Sequence, residues 1–396
     1  MATRRINVAS GRTLEKLAHY SRALRVGDTV LQSGTTAIDR AGTVRGVGDV
    51  AKQVETIMTI AEWSMGKAGG KLADVVRSRI YVTDMQIGDR AVRTLARYLR
   101  DARPAATLVQ VNGLARPEQL VEIEFDAIDG ASASARRISS GRAIEDEYAY
   151  SRAVRVGDRV LVSGTTALSA RGVVEGKGDL YRQTRHAARE DIVYTKTFLT
   201  DLTRSADYTR AWLEALGDVR PTSTLLGIPA LVLPEMLVEI EAEAIVGAAR
   251  TRRDIYTQQQ REKPRGYARA VEVGDWIWVS GCTSMNAGGE PQALGDWAAQ
   301  SDLSIGTAQW ALAQAGATLD DAVRRRTFTV EGARQNRAHG EGPPWFAKSG
   351  PSSLGCRIAG LARPELLVEV EVAAVKGAHA NIEWVAADPV DPLDRT

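Results

Sequence analysis

The chain repeats itself three times, and that constrains its fold more than any single motif. Residues 20–36 read YSRALRVGDTVLQSGTT, residues 150–166 YSRAVRVGDRVLVSGTT and residues 267–283 YARAVEVGDWIWVSGCT. A second block follows in each copy: LARPEQLVEIE at 114–124, LVLPEMLVEIE at 231–241 and LARPELLVEVE at 361–371. The offsets are rigid. Tyr20, Tyr150 and Tyr267 each stand 13 residues before Ser33, Ser163 and Ser280, and these stand 20 before Gln53, Gln183 and Gln300. Pro104, Pro221 and Pro351 stand 18 before Glu122, Glu239 and Glu369. Self-similarity at fixed offsets marks a repeated structural unit. The chain divides into units at 1–130, 131–248 and 249–380, with 381–396 as a short polar C-terminal tail.

The period within a unit is readable. RALRVGDTVLQSG predicts two strands around a Val-Gly-Asp turn. Residues 50–67 read as an amphipathic helix, 75–82 as a strand, 89–101 as a second helix, and 107–111 and 120–127 as closing strands. The order β-β-α-β-α-β-β is an α+β layer with helices on one face of a mixed sheet. The copies diverge. Gln53 to Tyr81 and Gln300 to Phe328 are 28 residues apart, but Gln183 to Phe198 only 15, which shortens the first helix of the second unit. In the third unit Gly340, Gly342, Pro343 and Pro344 break the second helix. Non-equivalent sites are expected.

Composition excludes several classes. Lys plus Arg number 51 and Asp plus Glu 49, a net charge of +2, without the basic excess of a nucleic-acid binder. Cys282 and Cys356 are too few for a disulfide framework and fit a reducing cytosol. No Cys/His cluster has metal-ligand spacing, so no metal is expected. No apolar run reaches the ~20 residues of a membrane span, and the start lacks the apolar stretch of a signal peptide. A cytoplasmic protein with no membrane partner is expected.

The strand tyrosine, the Val-Gly-Asp turn, the Ser-Gly-x-Thr segment, the glutamine opening the first helix, the x-Pro-Ala-x-Thr segment and the terminal Val-Glu-Ile-Glu strand together resemble the Rid family, also called YjgF-like proteins. The resemblance implies a chorismate-mutase-like fold, a homotrimer with sheets facing inward and helices outside, and clefts at the three interfaces. Three fused units then imply an intramolecular pseudo-trimer, since a sheet with helices on one face leaves its other face to be buried by neighbours. It also implies an enzyme that hydrolyses small imines or enamines to a carbonyl compound and ammonia with no cofactor. A small-molecule substrate is the implied partner, and further self-association of the pseudo-trimer is left open.

The family's carboxylate-binding arginine is absent. Its position holds Ala106, Ser223 and Ser353. By resemblance, Tyr20, Tyr150 and Tyr267 are pocket tyrosines, and Glu122, Glu239 and Glu369 orient a water; these are the candidate catalytic residues. Ser33–Gly34, Ser163–Gly164 and Ser280–Gly281 match the segment lining the cleft. Arg22, Arg152 and Arg269 stand two residues after each tyrosine, on the same strand face. They are candidates to bind an anionic group, with a salt bridge to Glu15, Glu145 or Glu262 as the competing reading. Arg357, four positions after Ser353, is a further candidate in the third unit. Two functions compete: a divergent Rid hydrolase lacking the usual arginine, and a non-catalytic small-molecule-binding or scaffold protein with degenerate clefts.

Overall fold

The computed structural model describes residues 3–169, 173–184, 191–258, 261–333, 335–337, 341 and 343–394. Among these, the three units form three separate sheets, each a β-meander extended by a parallel strand pair. In the first unit the spatial order is Ile382–Val385, Arg5–Val8, Ala23–Val26, Thr29–Thr35, Val121–Ile128, Val75–Val82, Ala105–Gln110. Helices Val50–Lys67 and Gly88–Leu99 cover one face. Asp49 starts the longer helix by accepting from the backbone of Ala51 and Lys52. The parallel pair is Val75–Val82 with Ala105–Gln110, joined through the second helix, the usual crossover for a parallel pair.

The copies are described to different extents in their helices. The first helix is 18 residues long in the first unit (Val50–Lys67) and in the third (Trp297–Gln314); in the second, Leu180–Thr184 is helical and residues 185–190, on which the expected shortening falls, lie outside the described residues. Strands Ala322–Val330 and Ser352–Ile358 are parallel, yet no helix lies between them among the described residues. Turns carrying Trp345 and Phe346 lead into the second of these strands; residues 334, 338–340 and 342, on which the expected helix break partly falls, lie outside the described residues.

Two features depart from the sequence reading. Each unit opens with a short strand, Arg5–Val8, Arg136–Ile138 or Arg253–Ile255, which a three- or four-residue segment does not signal. The polar tail is not a free appendage. Ile382–Val385 pairs parallel with Arg5–Val8 and makes the first sheet seven-stranded.

The inner faces of the sheets meet around a pseudo-threefold axis. Tyr81, Phe198 and Phe328, at equivalent positions, pack there with Leu226, Leu354 and Ile358. Beside them lies a closed ring of charge. Arg79 bonds Glu241 of the second unit at 2.7 Å, Lys196 approaches Glu371 of the third at 3.3 Å, and Arg326 bonds Glu124 of the first at 2.9 Å. Each cation thus reaches the next unit's glutamate. All six residues are buried, and mutual pairing offsets a desolvation that would be prohibitive for any one of them. Further along, Arg77 meets Glu243 at 3.5 Å and Arg324 pairs with Asp126. Tyr194 and Ala373 hold the third pair of positions, so that cation and anion are lost together.

Candidate functional site

The same backbone event builds all three interfaces. Pairing with the closing strand shifts register between Gln32 and Thr35, between Val162 and Thr165, and between Val279 and Cys282, a bulge at each Ser-Gly pair. The serine hydroxyl donates to the carbonyl of Ser21, Ser151 or Ala268 and accepts the neighbouring unit's backbone N–H: Ser33 from Ser353 at 2.9 Å, Ser163 from Ala106 at 2.8 Å, Ser280 from Ser223 at 2.9 Å. The positions that lost the family arginine are therefore the ones that dock on these serines. This corrects the expectation that Ser33, Ser163 and Ser280 hold ligand: their hydroxyls join the units.

The following glycines have a different reason. A Cβ on Gly34, Gly164 or Gly281 would overlap the carboxyl of Glu122, Glu239 or Glu369. Glycine lets that carboxyl lie flat over the bulge. Burial, followed by the neighbouring glutamate for Glu122 and Glu369, pushes Glu122, Glu239 and Glu369 up to about 8, against the pull of Arg22, Arg152 and Arg269. Each is a carboxylic acid poised near neutrality.

The arginines hold the tyrosines. Arg22 bonds Glu15 at 3.0 Å, the Gly34 carbonyl at 3.0 Å and the Tyr20 hydroxyl at 2.7 Å. Arg269 repeats this with Glu262 at 3.3 Å, the Gly281 carbonyl at 2.9 Å and the Tyr267 hydroxyl at 3.2 Å. Arg152 reaches the Gly164 carbonyl at 3.0 Å and Tyr150 at 2.9 Å, with Glu145 at 3.7 Å. The competing reading of these arginines therefore accounts for their geometry, and they are not free forks for an anion. Their effect on the tyrosine is chemical all the same. A guanidinium N–H fills a lone pair of the phenol oxygen, leaving the phenol O–H to donate elsewhere. Arg357 is also corrected. It pairs with Glu331 at 3.4 Å and packs on Gly113, and it makes no described contact with Tyr20, Arg22 or Glu122.

The three clefts are furnished differently. Between the third and first units, Arg325 bonds the Ala18 carbonyl at 3.1 Å and Ser353 Oγ at 2.9 Å, its guanidinium 5.3 Å from the Phe346 ring. It brings a cation back beside the position that lost one. Burial lowers it to about 10, with Tyr20 opposing. Between the first and second units the docking position is Ala106, whose side chain brings no polar group beside the Ser163 junction.

Between the second and third units lies a cavity of about 780 Å³. Tyr267, Arg269, Gly281 and Glu369 line its floor, with Ser223 and Leu225 opposite. Helix Ser205–Leu216 contributes Tyr208 and Trp212, and helix Trp297–Gln314 contributes Leu303 and Trp310. Arg261, Arg265 and Arg363 stand around it. Cys282, just past the bulge, is buried with its thiol pushed up by burial, which suits packing rather than attack.

The sequence reading missed Arg261, Trp310 and Arg325. The run Arg324-Arg325-Arg326 held a signal: on a strand its middle member faces away from the other two, toward the cleft rather than the axis. Arg261 gave none, because the other copies have Leu14 and Ile144 at its offset from the glutamate.

Comparison with known proteins finds several relatives. One curated relative is an uncharacterized protein of Streptomyces coelicolor, 35% identical over 131 residues, 30% of this chain and 96% of that protein. Another is the 3-aminoacrylate deaminase RutC of Acinetobacter baylyi, 34% identical over 107 residues, 27% of this chain and 84% of that protein. Among solved structures, Rv2704 of Mycobacterium tuberculosis, a member of the YjgF/YER057c/UK114 family, is 40% identical, covering 31% of this chain and 98% of its own, with a TM-score of 0.29. Each relative accounts for one unit. The family model described as endoribonuclease L-PSP matches three times, at 11–129, 140–246 and 258–376. The chain belongs to this family, that of the Rid or YjgF-like proteins, as three tandem copies.

Proposed function

We propose that this protein is a divergent Rid-type hydrolase that deaminates an imine or enamine in the cleft between the second and third units. The observation that carries the reading is Glu369: a buried carboxyl near pKa 8, flat against Gly281 and open to a ligand-sized cavity beside Tyr267. At pH 7 most of the population carries the proton. The acid delivers it to the enamine carbon or imine nitrogen, and its conjugate base then takes one from the attacking water. The C–N bond breaks as the carbonyl forms, so imine plus water gives carbonyl compound plus ammonia. Tyr267, its oxygen already bonded by Arg269, donates to the oxygen that becomes the carbonyl. Similarity to a relative named a 3-aminoacrylate deaminase supports the class of reaction.

The scaffold reading is favoured for the third–first cleft by Arg325 filling the space near Tyr20. The test is hydrolysis of imines generated in situ by amino-acid oxidases, with semicarbazide trapping what remains. Faster disappearance of trapped imine, abolished by Glu369→Gln, is expected. Turnover unchanged in Glu369→Gln, or no turnover of acidic, basic, aliphatic or aromatic imines, would overturn the proposal.

A further inference from the structure

We propose that the second–third cleft takes a bulky planar carboxylate, an aromatic or conjugated acid, with its ring against Trp310 and its carboxylate on Arg261 and Arg265. The inference rests on reading that cleft as the reactive one, and names its substrate class. Size is the first argument. A cavity of about 780 Å³ is far larger than a small aliphatic imine needs. Its apolar wall is aromatic: Tyr208 and Trp212 pack at 5.6 Å between ring centres, with Trp212 fixed by its indole N–H to the Gly266 carbonyl at 3.1 Å. Flat rings bind flat ligands.

Charge is the second argument. The Nε and Nη1 atoms of Arg261 are buried and have no hydrogen-bond partner among the described residues. Arg261 and Arg265 converge on Gly289, and neither has a carboxylate within ion-pair distance among the described residues. Arg261 is half-buried and Arg265 exposed beside it; the two guanidiniums repel, and a bound anion relieves the repulsion and meets the buried donors of Arg261.

The repeat supplies an internal control. Trp63 and Trp310 both stand ten residues after the helix-opening glutamine. In the first unit the Trp63 indole N–H donates to Asp388 at 2.9 Å. Asp391 lies 3.6 Å from Arg12 and accepts the Arg40 backbone N–H at 2.9 Å. There the chain's own C-terminal carboxylates satisfy the tryptophan and the arginine. The third unit keeps the tryptophan and brings Arg261, but no such segment reaches it among the described residues. A ligand carboxylate at Trp310 and Arg261 would make there the kind of contacts that Asp388 and Asp391 make with Trp63 and Arg12 in the first unit.

The experiment is calorimetric titration of the full chain with indole-3-pyruvate, with pyruvate and indole as probes lacking the ring or the carboxylate. One site per chain is expected, binding indole-3-pyruvate at least tenfold more tightly than either fragment. Arg261→Gln and Trp310→Leu should each weaken it about tenfold, with unchanged circular dichroism and melting. Indole-3-pyruvate binding no more tightly than indole or pyruvate, or with affinity untouched by both substitutions, would overturn the inference. The two proposals fail separately. Ring- and carboxylate-dependent binding without imine turnover removes the hydrolase and keeps this site. Turnover that is indifferent to the ring and to Arg261 removes this site and keeps the hydrolase.

Discussion

The second–third and third–first clefts start from the same parts and end as different objects. Both have a tyrosine held by an arginine, a raised glutamic acid over a bulge glycine, and a serine stitching one sheet to the next. At the outer wall they part. The surface carrying Gly11, Arg40 and Trp63 lies under residues 387–394, with Lys67 bonding Asp388 at 2.6 Å and Arg40 bonding the Asp388 carbonyl at 2.7 Å. The equivalent surface in the third unit, carrying Gln258, Ala287 and Trp310, lines the open cavity. A homotrimer cannot make this distinction, because every cleft shares one sequence. Fusion permits one cleft to be closed by the chain's own end while another stays open.

The sharpest break of that comparison is catalytic. Glu369→Gln should lower imine hydrolysis by about 100-fold or more, the usual weight of a general acid. Glu122→Gln should change it less than twofold. Equal losses would mean that both clefts work and that the covering segment does not exclude substrate.

Next is truncation after Ala386. It removes the carboxylates of Asp388 and Asp391 from Arg12, Lys67 and Trp63. Stranding such a partly buried cation should cost about 3 kcal/mol in urea unfolding. It should also open a second anion site, seen as a calorimetric stoichiometry rising from one toward two. Stability lost without new binding would mean that the tail is structural only.

A third test uses carboxylates two residues apart on one strand. Glu369 is pushed up to about 8, chiefly by burial, whereas its neighbour Glu371 is held below its ordinary value because Lys196 and Arg326 outweigh burial. The cleft acid binds its proton more tightly when folded. Its stabilising effect is complete below its ordinary value of 4.5 and is lost as pH rises through about 8. The ring carboxylate does the reverse, stabilising at neutral pH and failing in acid. Glu369→Gln should therefore raise the melting temperature by a few degrees at pH 9 and little at pH 5. If the gain were the same at both, the carboxyl would not titrate there. The same titration predicts that hydrolysis needing the protonated acid declines above pH 8.

How much was legible follows from what repetition can expose. Three copies made the main strands, the tyrosines and the glutamates readable, because a position present three times announces itself. The opening strands Arg5–Val8, Arg136–Ile138 and Arg253–Ile255 were too short for a period to register. The serines were found but misassigned, since a hydroxyl that caps a neighbouring backbone looks in sequence like one that meets a ligand. Arg325 and Arg261 were lost for the opposite reason. Each occurs in one copy only, and the features that make one cleft unlike another are those a repeat alignment discards. The charged ring was half visible: Val-Glu-Ile-Glu puts both glutamates on one face, but only the fold shows that the first faces a cleft and the second an axis.

The smallest effect should also be the most uniform. Ser33→Ala, Ser163→Ala and Ser280→Ala each remove one hydroxyl that bridges a carbonyl of its own unit and an N–H of the next. The N–H left behind is partly buried, so each change should cost about 1 kcal/mol. The three values should agree within a few tenths, because the junction is the same object three times. Ser280→Ala should leave ligand affinity almost unchanged, since its hydroxyl points into the junction and not the cavity. A much larger cost at one junction would mean that the sheets are not equivalently joined, and that divergence reached the framework as well as the clefts. Equal costs beside unequal Glu→Gln effects would separate the two layers: a threefold scaffold held constant by its serines, and a chemistry that has drifted cleft by cleft above it.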